Sequence, residues 1–433
     1  MTQLLQENVT SKTLSGLAFL WGFLVCCSSL NASVLPQVHW YAAPVLLSPL
    51  IIRSLKNGDL AGVLPALGAP AVLVVAFLLA SFSSDTPVLS LVHSTKVAVL
   101  LLVIYTLFLL SPRFARAAFY GAIAAVSLNA LLVLLQKLSL LDWARLGSHG
   151  RWDTVLANRT TLSLLGCFVF VYAACTSLVK SRTRVLRMVL LCCSIALVFW
   201  GGSRTYIVAL PIGFAFAVVA AWWSTSDMPL ARRLVPLLLS GTLIAGLAFA
   251  GRLLSGEDSE SWVVLPERVS ALLEFDEQDS VGEYLETQDP ARYSLMLEAL
   301  DRVRQNPFMG AGFHSLYSAG GREAPIHNSY LQAWADLGLL GFLSYCALTL
   351  GWMLHLRSAV NNLSLLHSIE DRAVYSTAIW GLCLFVFVGL RSPIAVEQGP
   401  WFYFLIPSAL YWQLLRGGRL EPSPLLAPHA RHT

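Results

Sequence analysis

The sequence predicts an all-α integral membrane protein of about twelve transmembrane helices, with one large loop late in the chain. Three observations carry this. Of 433 residues, 56% are hydrophobic and 12% charged, whereas a soluble domain is about a quarter charged. Apolar stretches of about 20 residues, the length that crosses a ~30 Å hydrocarbon core, recur along almost the whole chain. Lys and Arg gather in alternate short loops. The apolar content excludes intrinsic disorder. A net charge of +4 without a concentrated basic face argues against nucleic acid as a partner.

The expected spans are 14–31, 37–52, 61–82, 97–111, 115–141, 160–179, 185–201, 206–223, 234–250, 329–356, 373–390 and 400–415. Pro44 and Pro49 interrupt the second, and proline is tolerated in a span only where neighbours re-satisfy the freed carbonyls. The first stretch reads as an uncleaved helix rather than a signal peptide, given its length and the spans that follow. All eight cysteines lie inside apolar runs without metal-ligand spacing, so they read as small buried residues. The chain thus divides into nine spans with short loops (1–250), a long loop (251–326), three further spans (327–416) and a tail (417–433).

With the N-terminus placed in the cytoplasm, Arg53 and Lys56, Arg113 and Arg116, Lys180 to Arg187, Arg232 and Arg233, Arg357 and Arg372, and Arg416 and Arg419 all fall inside, as the positive-inside rule requires. Both termini are then cytoplasmic. Lys96, Arg145, Arg151, Arg159, Arg204 and Arg391 fall on the outer side against this preference. Snorkelling to lipid headgroups accounts for any one of them. Several together on one face point to an anionic ligand. Arg204, in Gly201-Gly202-Ser203-Arg204-Thr205 between two apolar runs, is the sharpest case, because an arginine so close to hydrocarbon needs a cavity or a partner.

The loop 251–326 holds fourteen of the 25 acidic residues. Its run 276–286 lacks the turn glycine of an EF-hand, so a solvated acidic face is the better reading. Asp289-Pro290 then reads as an N-cap with proline at the first helical position. Tyr293, Met296, Leu297, Leu300 and Val303 follow at helical spacing. Asn306-Pro307 and Gly310-Ala311-Gly312 end the helix. Arg292 sits in its first turn, where the macrodipole prefers an anion, a weak hint that an anionic group lies nearby.

The chain re-enters the membrane at Ile326-His327-Asn328, and nine residues after Asn328 comes Gly338-Leu339-Leu340-Gly341. Read as one straight helix, this places His327 at the outer mouth and the glycines two to three turns deeper, where small residues admit a neighbouring backbone. The stretch resembles the signature of the O-antigen ligase superfamily, His-(Asn/Ser/Gln)-x9-Gly-x-x-Gly, and matches every specified position. The resemblance extends to Arg292, Asn306-Pro307, Gly310-x-Gly312 and Ser203-Arg204, and so covers the second half of the chain. The first half agrees in hydropathy, length and the outer arginines around Asn158-Arg159.

This resemblance implies a GT-C-like inner-membrane glycosyltransferase with a periplasmic active site, acting on a glycan carried by undecaprenyl pyrophosphate. For a ligase the acceptor is a sugar hydroxyl of lipid A–core, and the transfer is metal-independent and inverting, with no cofactor. The length, span number and single late loop favour the ligase branch. An O-antigen polymerase, a protein O-oligosaccharyltransferase and a non-catalytic transporter of polyprenyl-linked glycan are the alternatives.

The chemistry suits the residues. Loss of a pyrophosphate needs charge neutralisation, and arginine supplies planar, permanently charged, bidentate donors, a role assigned to Arg159, Arg204, Arg292 and Arg391. The first outer loop, 31–38, holds no acidic residue, so no catalytic metal is expected. The acceptor hydroxyl must lose a proton as it attacks, and His327 is the candidate general base, because imidazole is the side chain that is basic yet largely neutral near neutral pH. Orientation of the acceptor by His327 is the alternative. Asn328 is expected either to hold the glycan or to cap the helix. His149 and His314 are outer-face histidines outside this pattern.

Overall fold

The computed structural model describes residues 2–27, 48–49, 52, 59–141, 144–146, 152–177, 183–224, 290–312, 317–319, 322–324, 326–366, 368–390 and 401–416. Its helices are α1 (Thr2–Val25), α2 (Leu64–Phe82), α3 (Pro87–Leu110), α4 (Pro112–Lys137), α5 (Arg159–Ser177), α6 (Arg184–Gly201), α7 (Arg204–Ser224), α8 (Pro290–Gln305), α9 (Ser329–Leu350), α10 (Leu356–Ser364), α11 (Ile369–Gly389) and α12 (Phe402–Leu415). Two antiparallel ribbons of three-residue strands, β1 (Ala144–Leu146) with β2 (Trp152–Thr154) and β3 (Tyr317–Ala319) with β4 (Arg322–Ala324), lie in loops. Among the described residues, seven helices are long and apolar enough to cross a membrane. The chain is an all-α, multi-pass membrane protein. The expected span 234–250, nearly all of 37–52, the acidic stretch up to 289 and the tail lie outside the described residues.

One boundary moves in a way that matters. The expected span 97–111 starts ten residues earlier, at Pro87, whose fixed φ favours a helical first turn. Ser90 and Ser94 make this stretch look like loop. In the folded chain their hydroxyls are absorbed by α2: Ser90 donates to Ser81 (3.1 Å), Ser81 and Ser94 share a hydrogen bond (2.9 Å), and Ser94 donates to the Phe77 carbonyl (3.0 Å). Such pairs replace hydration inside a membrane. Lys96 therefore lies within α3 and not on an outer loop.

α5 is the axis of the bundle, with every residue from Leu162 to Ser177 buried. Close approach is licensed by glycine: a Cβ on Gly166 would strike the Ser194 carbonyl of α6, and one on Gly22 would strike the Ala118 backbone of α4. At one end, charges are matched within the chain. Arg116 of α4 pairs with Asp371 (2.7 Å) and Arg187 of α6 with Glu370 (3.0 Å), both acids in the first turn of α11. Tyr172 and Tyr120 donate to the same Glu370 oxygen (2.6 and 3.3 Å). Arg416 lies against Gly62 at the start of α2. Cations assigned to inner loops thus meet at one end, as alternating helix direction requires.

Candidate active site

The opposite end holds the residues singled out from the sequence. α6 stops at Gly201. Gly202 follows in the left-handed conformation (φ 58°) and its N–H bonds the Val198 carbonyl (3.2 Å), the usual glycine termination of a helix. The chain turns at Ser203, and Arg204 opens α7. A Cβ on Gly201 would collide with the Arg159 carbonyl and the Ser163 hydroxyl. Glycine at 201 thus seats the α6–α7 turn on the first turn of α5. The starts of α5 and α7, and with them Arg159 and Arg204, share one corner.

That corner is braced by residues the sequence reading passed over. Thr154 accepts from the Ala157 N–H (2.8 Å) and donates to Asn129 (2.6 Å), which is fully buried on α4. Asp153 accepts from the Arg159 N–H (2.5 Å), and Asn158 accepts from the Thr161 N–H (2.9 Å). The signal was legible as Asp, Thr and Asn just ahead of an apolar run. Asp153 also places a carboxylate beside the Arg159 backbone.

The largest correction concerns the motif helix. Gly338 has φ 67° and ψ −170°, so α9 is broken there. In a straight helix, Tyr330 and Thr349 would stand roughly 28 Å apart. Instead the Tyr330 hydroxyl bonds Thr349 (3.3 Å), the Tyr330 and Tyr345 rings lie 5.1 Å apart, and Trp334 stacks on Phe342 at 5.1 Å. The segments 329–337 and 339–350 therefore fold back on each other as a helical hairpin with Gly338 at its tip. The glycines do not mark a helix–helix contact deeper in a straight span. Gly338 turns the chain, and at Gly341 an added Cβ would strike Leu337, so that position lets the arms close.

The tip is held by the loop after α8. The Ala311 and Gly312 N–H groups bond the Ala335 and Asp336 carbonyls (2.8 and 3.0 Å), the Leu339 N–H bonds the Pro307 carbonyl (2.9 Å), and Trp334 Nε1 donates to that same carbonyl (3.2 Å). Gly310 and Gly312 have φ of 74° and 99°, and a Cβ on Gly310 would strike Asp336. The two glycine motifs are thus halves of one joint. α8 packs Leu295, Ala299 and Val303 on Ile326, Leu331, Trp334 and Ala335. It therefore runs beside the first arm, bringing the exposed Arg292 of its first turn toward the His327 end.

His327 is half-buried at the base of that arm. Asn328 is the N-cap, its side-chain oxygen accepting from the Tyr330 and Leu331 N–H groups (both 3.0 Å). Gly389, at the end of α11, sits against Ser329 and Tyr330 (3.8 and 3.4 Å for an added Cβ). The chain leaves α11 beside this arm two residues before Arg391, which lies outside the described residues, as do Arg151, His149 and His314. Gln332 and Asp336, one turn apart on the first arm, are buried at 1% and 0% exposure; sequence reading assigned them no role. Among the described residues, no group of three or more His, Cys, Asp or Glu is arranged to hold a metal ion.

Helices α5, α7 and α12 begin at this end, so their positive dipole ends face it. Such an end favours anions. The fold defines a polytopic membrane protein in which the Arg159–Arg204 corner and the His327 arm of a helical hairpin lie at the same end of the bundle. Residues 188–346 are similar to the family whose model is described as O-Antigen ligase. The matched segment takes in Arg204, Arg292, His327, Asn328 and the hairpin tip, and leaves Arg159 and Arg391 outside it. No curated protein matches the chain.

Proposed function

We propose that the protein is an O-antigen ligase of about twelve spans and GT-C-like architecture in the bacterial inner membrane. Both termini are cytoplasmic and the hairpin end faces the periplasm. It moves O-antigen from undecaprenyl pyrophosphate to a sugar hydroxyl of lipid A–core, inverting the anomeric centre without a metal or other cofactor. The observation that carries the reading is the joint at Gly338, which ties the His327 arm to the helix bearing Arg292.

In this reading Arg159, Arg204, Arg292 and Arg391 neutralise the pyrophosphate as the glycosidic C–O bond breaks. Fixed donors shielded from water stabilise developing charge far more than donors in bulk. His327 accepts the proton of the attacking hydroxyl. The Asn328 side-chain oxygen holds the arm's first turn, which fixes the residue next to it, and its amide nitrogen faces the glycan.

Purified protein supplied with lipid-linked glycan and lipid A–core tests this. Glycan attached to core supports ligation; lengthened lipid-linked glycan would show a polymerase instead. Translocation of the donor in vesicles lacking any acceptor would show a transporter.

A further inference from the structure

Lys96 is a cation inside an apolar span. It is 3% exposed, and no hydrogen bond or ion pair reaches its ammonium among the described residues. A desolvated ammonium is costly within a membrane and is retained where an anion meets it. Immediately after it, residues Val99–Ile104 form a π-helical turn, a distortion found mostly at functional positions.

The depth is right for the candidate site. Gly312 lies against Ser84 in the α2–α3 turn, and its N–H bonds Asp336 at the hairpin tip, so turn and tip stand at one level. Lys96 follows Pro87 by nine residues, and the arm from Ser329 to Leu337 is nine residues long. At the helical rise, Lys96 and the start of the arm each lie roughly 14 Å of helix from that level.

We propose that Lys96 binds the pyrophosphate of a polyprenyl-linked donor entering from the bilayer, as a second cationic contact beyond the arginines. This rests on the function proposed above. The ammonium supplies a compact charge suited to a phosphate oxygen whose position shifts along an entry path, where the arginine forks fix the final pose.

Full-length wild type, Lys96→Met, Lys96→Gln and Lys96→Arg, purified in detergent, are titrated with undecaprenyl pyrophosphate and, separately, with phosphatidylglycerol, following thermal unfolding. Lys96→Met is expected to be at least as heat-stable as wild type without lipid, since it removes a buried unmatched charge. Lys96→Met and Lys96→Gln should bind the pyrophosphate lipid roughly tenfold or more weakly, with Lys96→Arg close to wild type. Wild-type affinity in both neutral variants overturns the assignment and leaves the ligase reading standing. Equal stabilisation by phosphatidylglycerol, lost in the same variants, overturns it in favour of an ordinary headgroup seat. A wild type that binds no polyprenyl pyrophosphate brings down both readings.

Discussion

The two ends of the bundle are built by different means. At the Glu370 end, charges are matched inside the chain: Arg187 and two tyrosine hydroxyls converge on Glu370, and Arg116 on Asp371. At the His327 end, position is set by backbone devices. These are left-handed glycines at 202, 310, 312 and 338, the Asn328 cap, and a loop docked on a broken helix. A self-satisfied ion network ties four helices together and has little left to offer a ligand. Backbone devices fix where the chain presents its side chains. Under the proposed function, stability belongs to one end and chemistry to the other.

The sharpest way to break that division is to remove the imidazole. His327→Ala is expected to lower transfer by about 10²–10⁴-fold, the usual contribution of a positioned base, with unchanged thermal unfolding. A change in melting comparable to the change in rate would make His327 structural. Arg204→Ala comes next, at roughly 10²–10³-fold in turnover, as for loss of one fixed donor to a developing anion. Equal losses for Arg204→Lys and Arg204→Ala would show that the planar fork matters more than charge alone.

The Glu370 end should behave oppositely. Glu370→Ala leaves Arg187 and two tyrosines without their acceptor. It should cost about 3 kcal/mol of stability, the low end for a broken buried pair because about a fifth of each side chain stays exposed. Residual folded protein should transfer at the wild-type rate. A turnover defect at full folding would tie this end to the chemistry. The smallest effect expected is for Asn328→Ala: loss of a cap costs about 1 kcal/mol, and Asn328→Asp should restore it. If Asn328→Asp restores stability while transfer stays low, the amide nitrogen is a glycan contact as well.

Much of this fold was legible in residue order. Hydropathy alone located helices such as Arg184–Gly201, one residue from the expected start, because span length is dictated by the bilayer. Two features were misread for physical reasons. Serines at 90 and 94 looked like a loop because their partners, Ser81 and Phe77, are on another helix. The hairpin was invisible because hydropathy over 329–356 does not report chain reversal, and Gly338 was read by its size rather than by its φ. The candidate site residues stand out in the sequence as residue types at odd locations, whereas the joint between Gly338 and 307–312 required three dimensions. Thr154 and Asn129 were missed because the turn residue and its buried brace are 25 residues apart.

The hairpin is open to a direct check. With the native cysteines replaced, a Trp334→Cys/Phe342→Cys pair should be joined by a short bifunctional thiol reagent, since those rings stack at 5.1 Å. Adding Gly338→Val should abolish both cross-link and transfer, because valine resists a positive φ and its Cβ would strike Phe308.

The central claim is tested most directly by the transfer reaction itself, run with purified wild type and His327→Ala on polyprenyl-pyrophosphate glycan and lipid A–core. Wild type should yield glycan attached to core, while His327→Ala, equally folded and still binding the donor, should not. Undiminished transfer by His327→Ala would contradict the account.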